Sequence, residues 1–306
     1  MVQVKGDDLA AWNALRLTQG LGPKRLTRIA SVLRDRGLPA ASLIGSEAAG
    51  LQALGLGHEL AHRAAESLAA PAPLPATPSW VHVVSPDDDL YPRSRVSEQL
   101  PLPVLMWLAG SEALLESRGV AIAGARAASP EAIETTRDIA GYLAKEGWNV
   151  VSGLAAGVDR AAHDGALEAE GTTTGVLAEG ILRLEGSPDV TDFGDRVLLI
   201  SGFEPDAPWT PARAMERNTY IAALADAVVI VSAGLRGGSW EQGRLCLKAS
   251  KRLLVVDLPA ELAPGNGRLI ELGAEPLPRN HPELILESMG SEARPASPQM
   301  GLFGLG

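Results

Sequence analysis

Between residues 80 and 282, short runs of Val, Ile and Leu alternate with longer amphipathic stretches, and this alternation leaves few folds open. The runs at 81–84, 120–123, 150–152, 173–177, 197–200, 227–231 and 253–256 are continuously apolar, the pattern of strands covered on both faces. Helix-like segments at 130–147, 160–170 and 240–250 lie between them. Strand, helix, strand repeated in this way predicts an α/β fold with a doubly wound, mostly parallel sheet. Residues 1–70 read instead as helices throughout. Leu9, Trp12, Leu15 and Leu17 mark one apolar face, Ile29, Val32 and Leu33 a second, and shorter helices run from Leu51 to Leu68. The turn Gly20-Leu21-Gly22-Pro23-Lys24-Arg25 separates the first two, with proline placed to start the second. Pro71, Pro73, Pro75 and Pro78 remove backbone donors and predict a stiff linker. The expected organisation is a small all-helical domain over 1–70, a linker over 71–79, an α/β domain over 80–290, and a Ser/Pro/Gly-rich disordered tail over 291–306.

Composition narrows the function classes. The 306 residues suffice for two domains at roughly 100–200 residues each. Aromatics are only 4%, so the core is aliphatic. The single cysteine, Cys246, excludes a disulfide framework and a Cys-based zinc site, and is expected as a buried small hydrophobe. No stretch approaches the ~20 apolar residues of a bilayer span, and residues 1–8 lack the apolar segment of a signal peptide. A cytoplasmic location is expected. The formal net charge of −10 argues against a surface coated for nucleic acid, yet leaves room for a local basic groove. Of the basic residues 22 are Arg and 5 are Lys. Arginine forks match phosphate oxygens, although a GC-rich coding sequence explains that bias equally well.

The functional signal lies in the turns that follow the strands, where open parallel sheets bind ligands. Four such turns are rich in small residues. They are Gly124-Ala125-Arg126-Ala127-Ala128-Ser129, Ser152-Gly153-Leu154-Ala155-Ala156-Gly157-Val158-Asp159, Ser201-Gly202-Phe203 and Gly234-Leu235-Arg236-Gly237-Gly238-Ser239. Small residues admit a ligand close to backbone N–H groups, and helix N-termini favour its negative charge. With Arg126 and Arg236 on the same rim, the pattern predicts a phosphate site. Neither the dinucleotide fingerprint nor a Walker A sequence is present, which argues against nicotinamide or flavin cofactors and against ATP hydrolysis. Asp159 and His163 are spaced to share a helix face. They suit an acid–base pair, two metal ligands, or structural support for the Gly153–Gly157 loop. Support is the best fit, because no His or Cys cluster supplies further ligands. No cofactor, no metal and no catalytic constellation are expected.

These segments, in order, resemble the DprA (also called Smf) family of DNA-processing proteins. The resemblance covers residues 85 to 274. It rests on Tyr91-Pro92, Pro103-Val104-Leu105, the stretch from Val120 to Arg126 with Ser129, and the stretch from Ser152 to Asp159 with Ala162-His163 and Ala166-Leu167. It continues through Ile200-Ser201, the stretch from Arg217 to Val228, Gly265-Asn266, Leu269-Ile270 and Gly273-Ala274. The Gly20–Arg25 turn is similar to the helical module, of sterile-alpha-motif or helix-hairpin-helix type, that precedes the family's extended Rossmann-like domain. The resemblance implies a homodimer that binds and protects incoming single-stranded DNA and helps load the recombinase RecA in natural transformation, with no turnover. It places Gly124, Arg126, Ser129, Ser152, Gly153, Gly157, Arg217, Asn218, Gly238 and Ser239 at a strand phosphate, with Asp159 and His163 as loop support. The chain departs from the family at three places: Arg217-Asn218-Thr219 stands for the usual Arg-Asn-Arg, Ser201-Gly202 for Ser-Glu, and Trp240-Glu241 follow Gly238-Ser239. The residues after Pro282 are too few for the winged-helix module that ends many members, so a divergent member is expected.

Two other expectations follow. Gly237-Gly238-Ser239-Trp240-Glu241 is faintly similar to the signature of nucleotide-sensing and phosphoribohydrolase relatives, the alternative function. Gln299-Met300-Gly301-Leu302-Phe303 resembles the Gln-x-x-Leu-Phe peptide that docks on the DNA sliding clamp. Gln299, Leu302 and Phe303 are its candidate contacts.

Overall fold

A computed structural model describes residues 2–184 and 194–290. The tail residues Gln299, Leu302 and Phe303 lie outside the described residues. Among the described residues nine strands form one sheet: β1 (His82–Val84), β2 (Met106–Gly110), β3 (Gly119–Gly124), β4 (Asn149–Ser152), β5 (Thr173–Leu177), β6 (Val197–Ser201), β7 (Ala227–Ser232), β8 (Leu253–Val256) and β9 (Glu275–Leu277). Their spatial order is β1-β2-β6-β5-β4-β3-β7-β8-β9. Pairings among β3 to β9 are parallel, while β1 with β2 and β2 with β6 are antiparallel. The chain winds from β3 outward to β6, then returns to the other side of β3 as β7. The crevice of such a reversal opens at the carboxyl ends of the strands beside it.

The helices are α1 (Val2–Leu17), α2 (Pro23–Asp35), α3 (Ala48–Gln52), α4 (His58–Ala69), α5 (Pro130–Lys145), α6 (Val158–Glu168), α7 (Pro211–Leu224), α8 (Gly238–Lys248), α9 (Pro264–Glu271) and α10 (Glu283–Ser288). Alternate strand residues divide between two layers. Val120, Ile122, Val229 and Val231 pack with Ile139 and Leu143 of α5 and Ala162 of α6. Ala121, Ala123, Val228 and Ile230 pack with Tyr220 and Ile221 of α7 and Leu269 of α9, and Cys246 is buried among them. The N-terminal helices share a core with the antiparallel flank, where Trp12, Leu15, Ile29 and Leu68 meet Trp107, Leu177 and Leu199. Trp12 Nε1 donates to Asp87 at 2.6 Å. Arg16 ion-pairs with Glu204 at 2.5 Å and lies over the Trp107 ring.

Three details depart from the sequence reading. Leu17 is 54% exposed, because two residues beyond Leu15 rotate it off the buried face. β2 was not anticipated: Met106-Trp107-Leu108-Ala109 continues the Pro-flanked run Pro103-Val104-Leu105 and holds no β-branched residue of its own. β9 is a three-residue edge strand containing Pro276, a residue that argues against a central strand and is tolerated at an edge.

Asn266, near the start of α9, fixes the end of the sheet that matters for the site. Its Oδ1 accepts from the Ala233 N–H at 2.9 Å, and its Nδ2 donates to the Val231 and Val256 carbonyls, each at 2.8 Å. It thereby ties β7 to β8 and anchors the turn that leads to α8. Asn266→Ala leaves a buried donor and two buried acceptors short of a partner. Denaturant titration is expected to show a loss of about 2–4 kcal/mol. A loss below about 0.5 kcal/mol, the range of surface substitutions, contradicts this role.

Candidate functional site

A trough lies along the carboxyl edge of the sheet. Its first lobe, about 410 Å³, sits between the turn after β3, the start of α7 and the start of α8; the second, about 300 Å³, lies over the ends of β4 and β5. Arg126, Ala155, Trp209 and Arg217 line both. Of the residues singled out from sequence, Gly124, Arg126, Asp159, Arg217, Asn218, Gly238 and Ser239 line the first lobe. They come from β3, α6, α7 and α8, elements far apart in the chain.

Four other candidates make contacts within the protein and are not among the residues that line the two lobes. Ser129 caps α5, its Oγ accepting from the Ala132 N–H at 3.2 Å. Ser152 is buried and donates to the Ile122 carbonyl at 2.6 Å. Gly153 lies against the Arg217 guanidinium and the Asp159 carboxylate, where any Cβ collides. Gly157 has φ +81° and faces the Ala125 and Arg126 carbonyls with no room for a side chain. The Val158 N–H donates to the Ala125 carbonyl at 3.3 Å. The two glycine-rich turns thus close on each other by backbone contact.

Against these turns lies a buried charged cluster. Arg217 is 6% exposed and donates from Nη1 to the Val176 carbonyl at 2.9 Å. Burial lowers its pKa and the neighbouring Asp159 opposes that. Burial raises the Asp159 carboxyl to about 6, against the pull of Arg217, the Ala155 N–H, Arg126 and the Ser152 hydroxyl. His163 is likewise pushed down to about 4 by burial, against its bond to the Gly153 carbonyl. Its Nε2 donates to that carbonyl at 2.5 Å, and Nδ1 lies 2.6 Å from the Thr173 hydroxyl. Asp159 and His163 therefore both bear on Gly153, one from its Cα side and one through its carbonyl. Among the described residues no group of three or more His, Cys, Asp or Glu is placed to hold a metal ion, and no helix is long and apolar enough to cross a membrane.

The trough carries further groups that sequence reasoning missed. Trp209 is half-exposed, with the Arg126 guanidinium 5.1 Å from its ring centre. A lone tryptophan in the Pro208-Trp209-Thr210-Pro211 loop was a readable signal in a chain with so few aromatics. Gln242 is buried in the first lobe and gave no signal, being one amide in a helical run. Its Nε2 and the Nε of Arg217 are buried donors without a hydrogen-bond partner among the described residues. Neither Arg126 nor Arg236 is in an ion pair among the described residues. Asn218 Nδ2 donates to the Gly238 carbonyl at 3.3 Å, joining α7 to α8. Thr219 adds no charge, so the cationic groups here are Arg126, Arg217 and Arg236. Glu241, the acidic residue of the enzyme-like signature, pairs with Arg244 at 3.8 Å.

The sequence and the fold are similar to those of known proteins. The family model described as DNA recombination-mediator protein A matches residues 82–290. The Smf protein of Escherichia coli is 29% identical over 234 residues, covering 72% of this chain and 61% of the relative. The DNA processing protein DprA of Streptococcus pneumoniae is 33% identical over 155 residues, covering 50% and 54%. The chain spans about half the length of the curated relatives it matches. The crystal structure of DNA processing protein A from S. pneumoniae shares the fold, with a TM-score of 0.69, 22% identity and coverage of 89% and 95%. The Helicobacter pylori protein, solved for its single-stranded DNA binding mode, gives a TM-score of 0.58 at 26% identity, covering 68% and 96%.

The buried pair makes a testable pH signature. With a folded pKa above its unfolded value, Asp159 costs stability as pH rises from about 4 to 6. His163, depressed when folded, adds stability as pH rises from its folded value near 4 to its unfolded value of 6.5. The two slopes oppose, so their joint contribution is nearly flat. Asp159→Asn removes one slope. The unfolding free energy of the variant minus that of the wild type is expected to rise by about 2 kcal/mol between pH 4 and 6, most of the full linkage effect at about 1.4 kcal/mol per pKa unit. Urea titrations across that range check it; a constant difference contradicts the assigned burial of the carboxylate.

Proposed function

The chain belongs to the DNA recombination-mediator protein A family, and from that membership we propose that the trough binds single-stranded DNA through its phosphates. The observation that carries this reading is the convergence of three arginines on one open trough. Neither Arg126 nor Arg236 is in an ion pair among the described residues, and Arg217 donates to the Val176 carbonyl while its Nε has no partner among them. The start of α8, at Gly237 to Ser239, adds backbone donors and the positive end of a helix dipole. Trp209 offers a face on which any base stacks, as suits binding without sequence preference along a strand. Net charge −10 leaves attraction for a polyanion to local groups of arginines such as this one.

The related H. pylori protein, whose structure is described by its single-stranded DNA binding mode, supports the same ligand class. The family's description as a recombination mediator supports the finer proposal that a dimer of this chain protects the strand and passes it to the recombinase RecA. The enzyme alternative is the weaker reading. Its signature acid, Glu241, is engaged with Arg244, and the acidic residues lining the trough are Asp159 and Glu179.

Fluorescence anisotropy with a labelled thymidine strand of about 30 nucleotides, over a salt series, tests the proposal. Arg126→Ala and Arg236→Ala are each expected to weaken binding by about 1–3 kcal/mol, the loss of one charge-assisted contact. Each is also expected to reduce the log–log salt slope by about 0.7, the value per phosphate for single strands. Unchanged affinity and slope in both variants contradict the site, and release of free base from nucleoside monophosphates favours the enzyme reading.

A further inference from the structure

Outside the trough, the start of α4 carries a pattern that strand binding leaves unused. It reads His58-Glu59-Leu60-Ala61-His62, two histidines one helical turn apart with a glutamate after the first. Residues i and i+4 lie on one face of a helix. Both histidines are exposed, and their ring centres are 4.5 Å apart with the planes inclined at 54°. Neither is in an ion pair among the described residues, whereas His82 and His281 face Glu112 and Glu283.

That separation has a chemical meaning. An imidazole nitrogen binds a divalent transition ion at about 2.0–2.1 Å, which puts each ring centre about 3.2 Å from the metal. Two imidazoles bound at a right angle then have centres about 4.5 Å apart, and at a tetrahedral angle about 5.2 Å. Turning two exposed rings brings both nitrogens onto one ion without moving the helix. Among the described residues no group of three or more His, Cys, Asp or Glu is placed around an ion, so water completes the coordination. In zinc hydrolases the glutamate of this pattern is the general base. Here the Glu59 side chain is 84% exposed and pairs with Arg63 at 3.3 Å, and neither histidine lines either lobe of the trough. Glu59 instead places a negative charge in the first turn of α4, offsetting the positive helix end that would oppose a cation.

We propose that His58 and His62 form a surface site for one divalent transition-metal ion, taking Cu(II) in preference to Ni(II) and Zn(II). Imidazole suits these ions, Cu(II) forms the strongest complexes, and the right-angle spacing favours tetragonal over tetrahedral coordination. Mg(II) and Ca(II) prefer oxygen ligands. A bridging ion staples the first turn of α4; in the last turn of that helix, Ser67 is hydrogen-bonded to Thr18 at 2.9 Å. Metal binding is thereby linked to the stability of the folded chain. The site lies apart from the trough and is independent of the strand-binding reading.

Isothermal titration of the full chain with the chlorides of Cu(II), Ni(II), Zn(II) and Mg(II), each alone in a non-chelating buffer, provides the test. Cu(II) is expected to bind one equivalent with micromolar affinity, Ni(II) and Zn(II) more weakly, and Mg(II) not at all. His58→Ala and His62→Ala are each expected to weaken Cu(II) binding by about a hundredfold, the advantage of two linked ligands over one. Alanine favours an exposed helix position, so both variants keep the fold. The paramagnetic resonance spectrum of bound Cu(II) is expected to show two imidazole nitrogens in the wild type and one in either variant. A His82→Ala, His281→Ala double variant is expected to bind Cu(II) like the wild type. Absence of Cu(II) binding below millimolar concentration overturns the proposal, as does unchanged affinity in both single variants. A loss confined to the double variant also overturns it, assigning the ion to a histidine–glutamate pair. Zn(II) binding tighter than Cu(II) overturns the stated ion preference.

Discussion

A guanidinium buried beneath the carboxyl ends of β4 and β5 sets the terms for the rest of this site. Burying a charge costs several kcal/mol unless partners compensate it, and Arg217 has the Val176 carbonyl and the Asp159 carboxylate as its compensation. Its presence dictates what surrounds it. Residue 153 has no space for a side chain. Asp159 stays close enough to matter electrostatically, at the cost of a raised pKa. His163, neutral and buried, holds the carbonyl of the same glycine. One donor, Nε, remains without a partner among the described residues. A cation whose desolvation has already been met by folding loses less on meeting an anion than a mobile surface lysine does.

The rim of the trough is held from several sides. Gly157 lets the second glycine-rich turn lie directly on the first, which positions Arg126. Asn266 braces the far side, where the turn from β7 leads to Arg236 and the start of α8. The loop that carries Trp209 leaves β6 through Glu204, and Arg16 of α1 pairs with that residue. The N-terminal helices therefore share more than a core with the sheet; they also hold the loop that supplies the aromatic wall.

Much of this architecture was legible in the sequence because strand burial on both faces leaves uninterrupted Val/Ile runs. β2 and β9 were hidden, one inside a Pro-flanked Leu/Met/Trp run and the other behind a proline at an edge. At the site, strand order led to the turns after β3, β4 and β7, which line the trough, and also to the turn after β6, which does not. It did not distinguish a glycine that admits a ligand from one that admits another part of the chain. Gly153 and Gly157 are the latter, and a small residue looks the same in either role. Ser129 was readable as a helix cap from the Ser-Pro-Glu sequence that follows. Gln242 and Glu179 were out of reach, because their significance comes only from the tertiary cavity they share with distant residues.

The central claim is that a strand occupies the trough at the carboxyl edge of the sheet. Hydrogen–deuterium exchange of the full chain, with and without a saturating single strand, tests it most directly because it reports on every segment at once. The account expects slowed exchange at residues 124–126, 153–157, 208–215 and 234–239, with α2, α4 and α10 unchanged. Protection concentrated on the N-terminal helices or on α10, with those four segments unaltered, contradicts it.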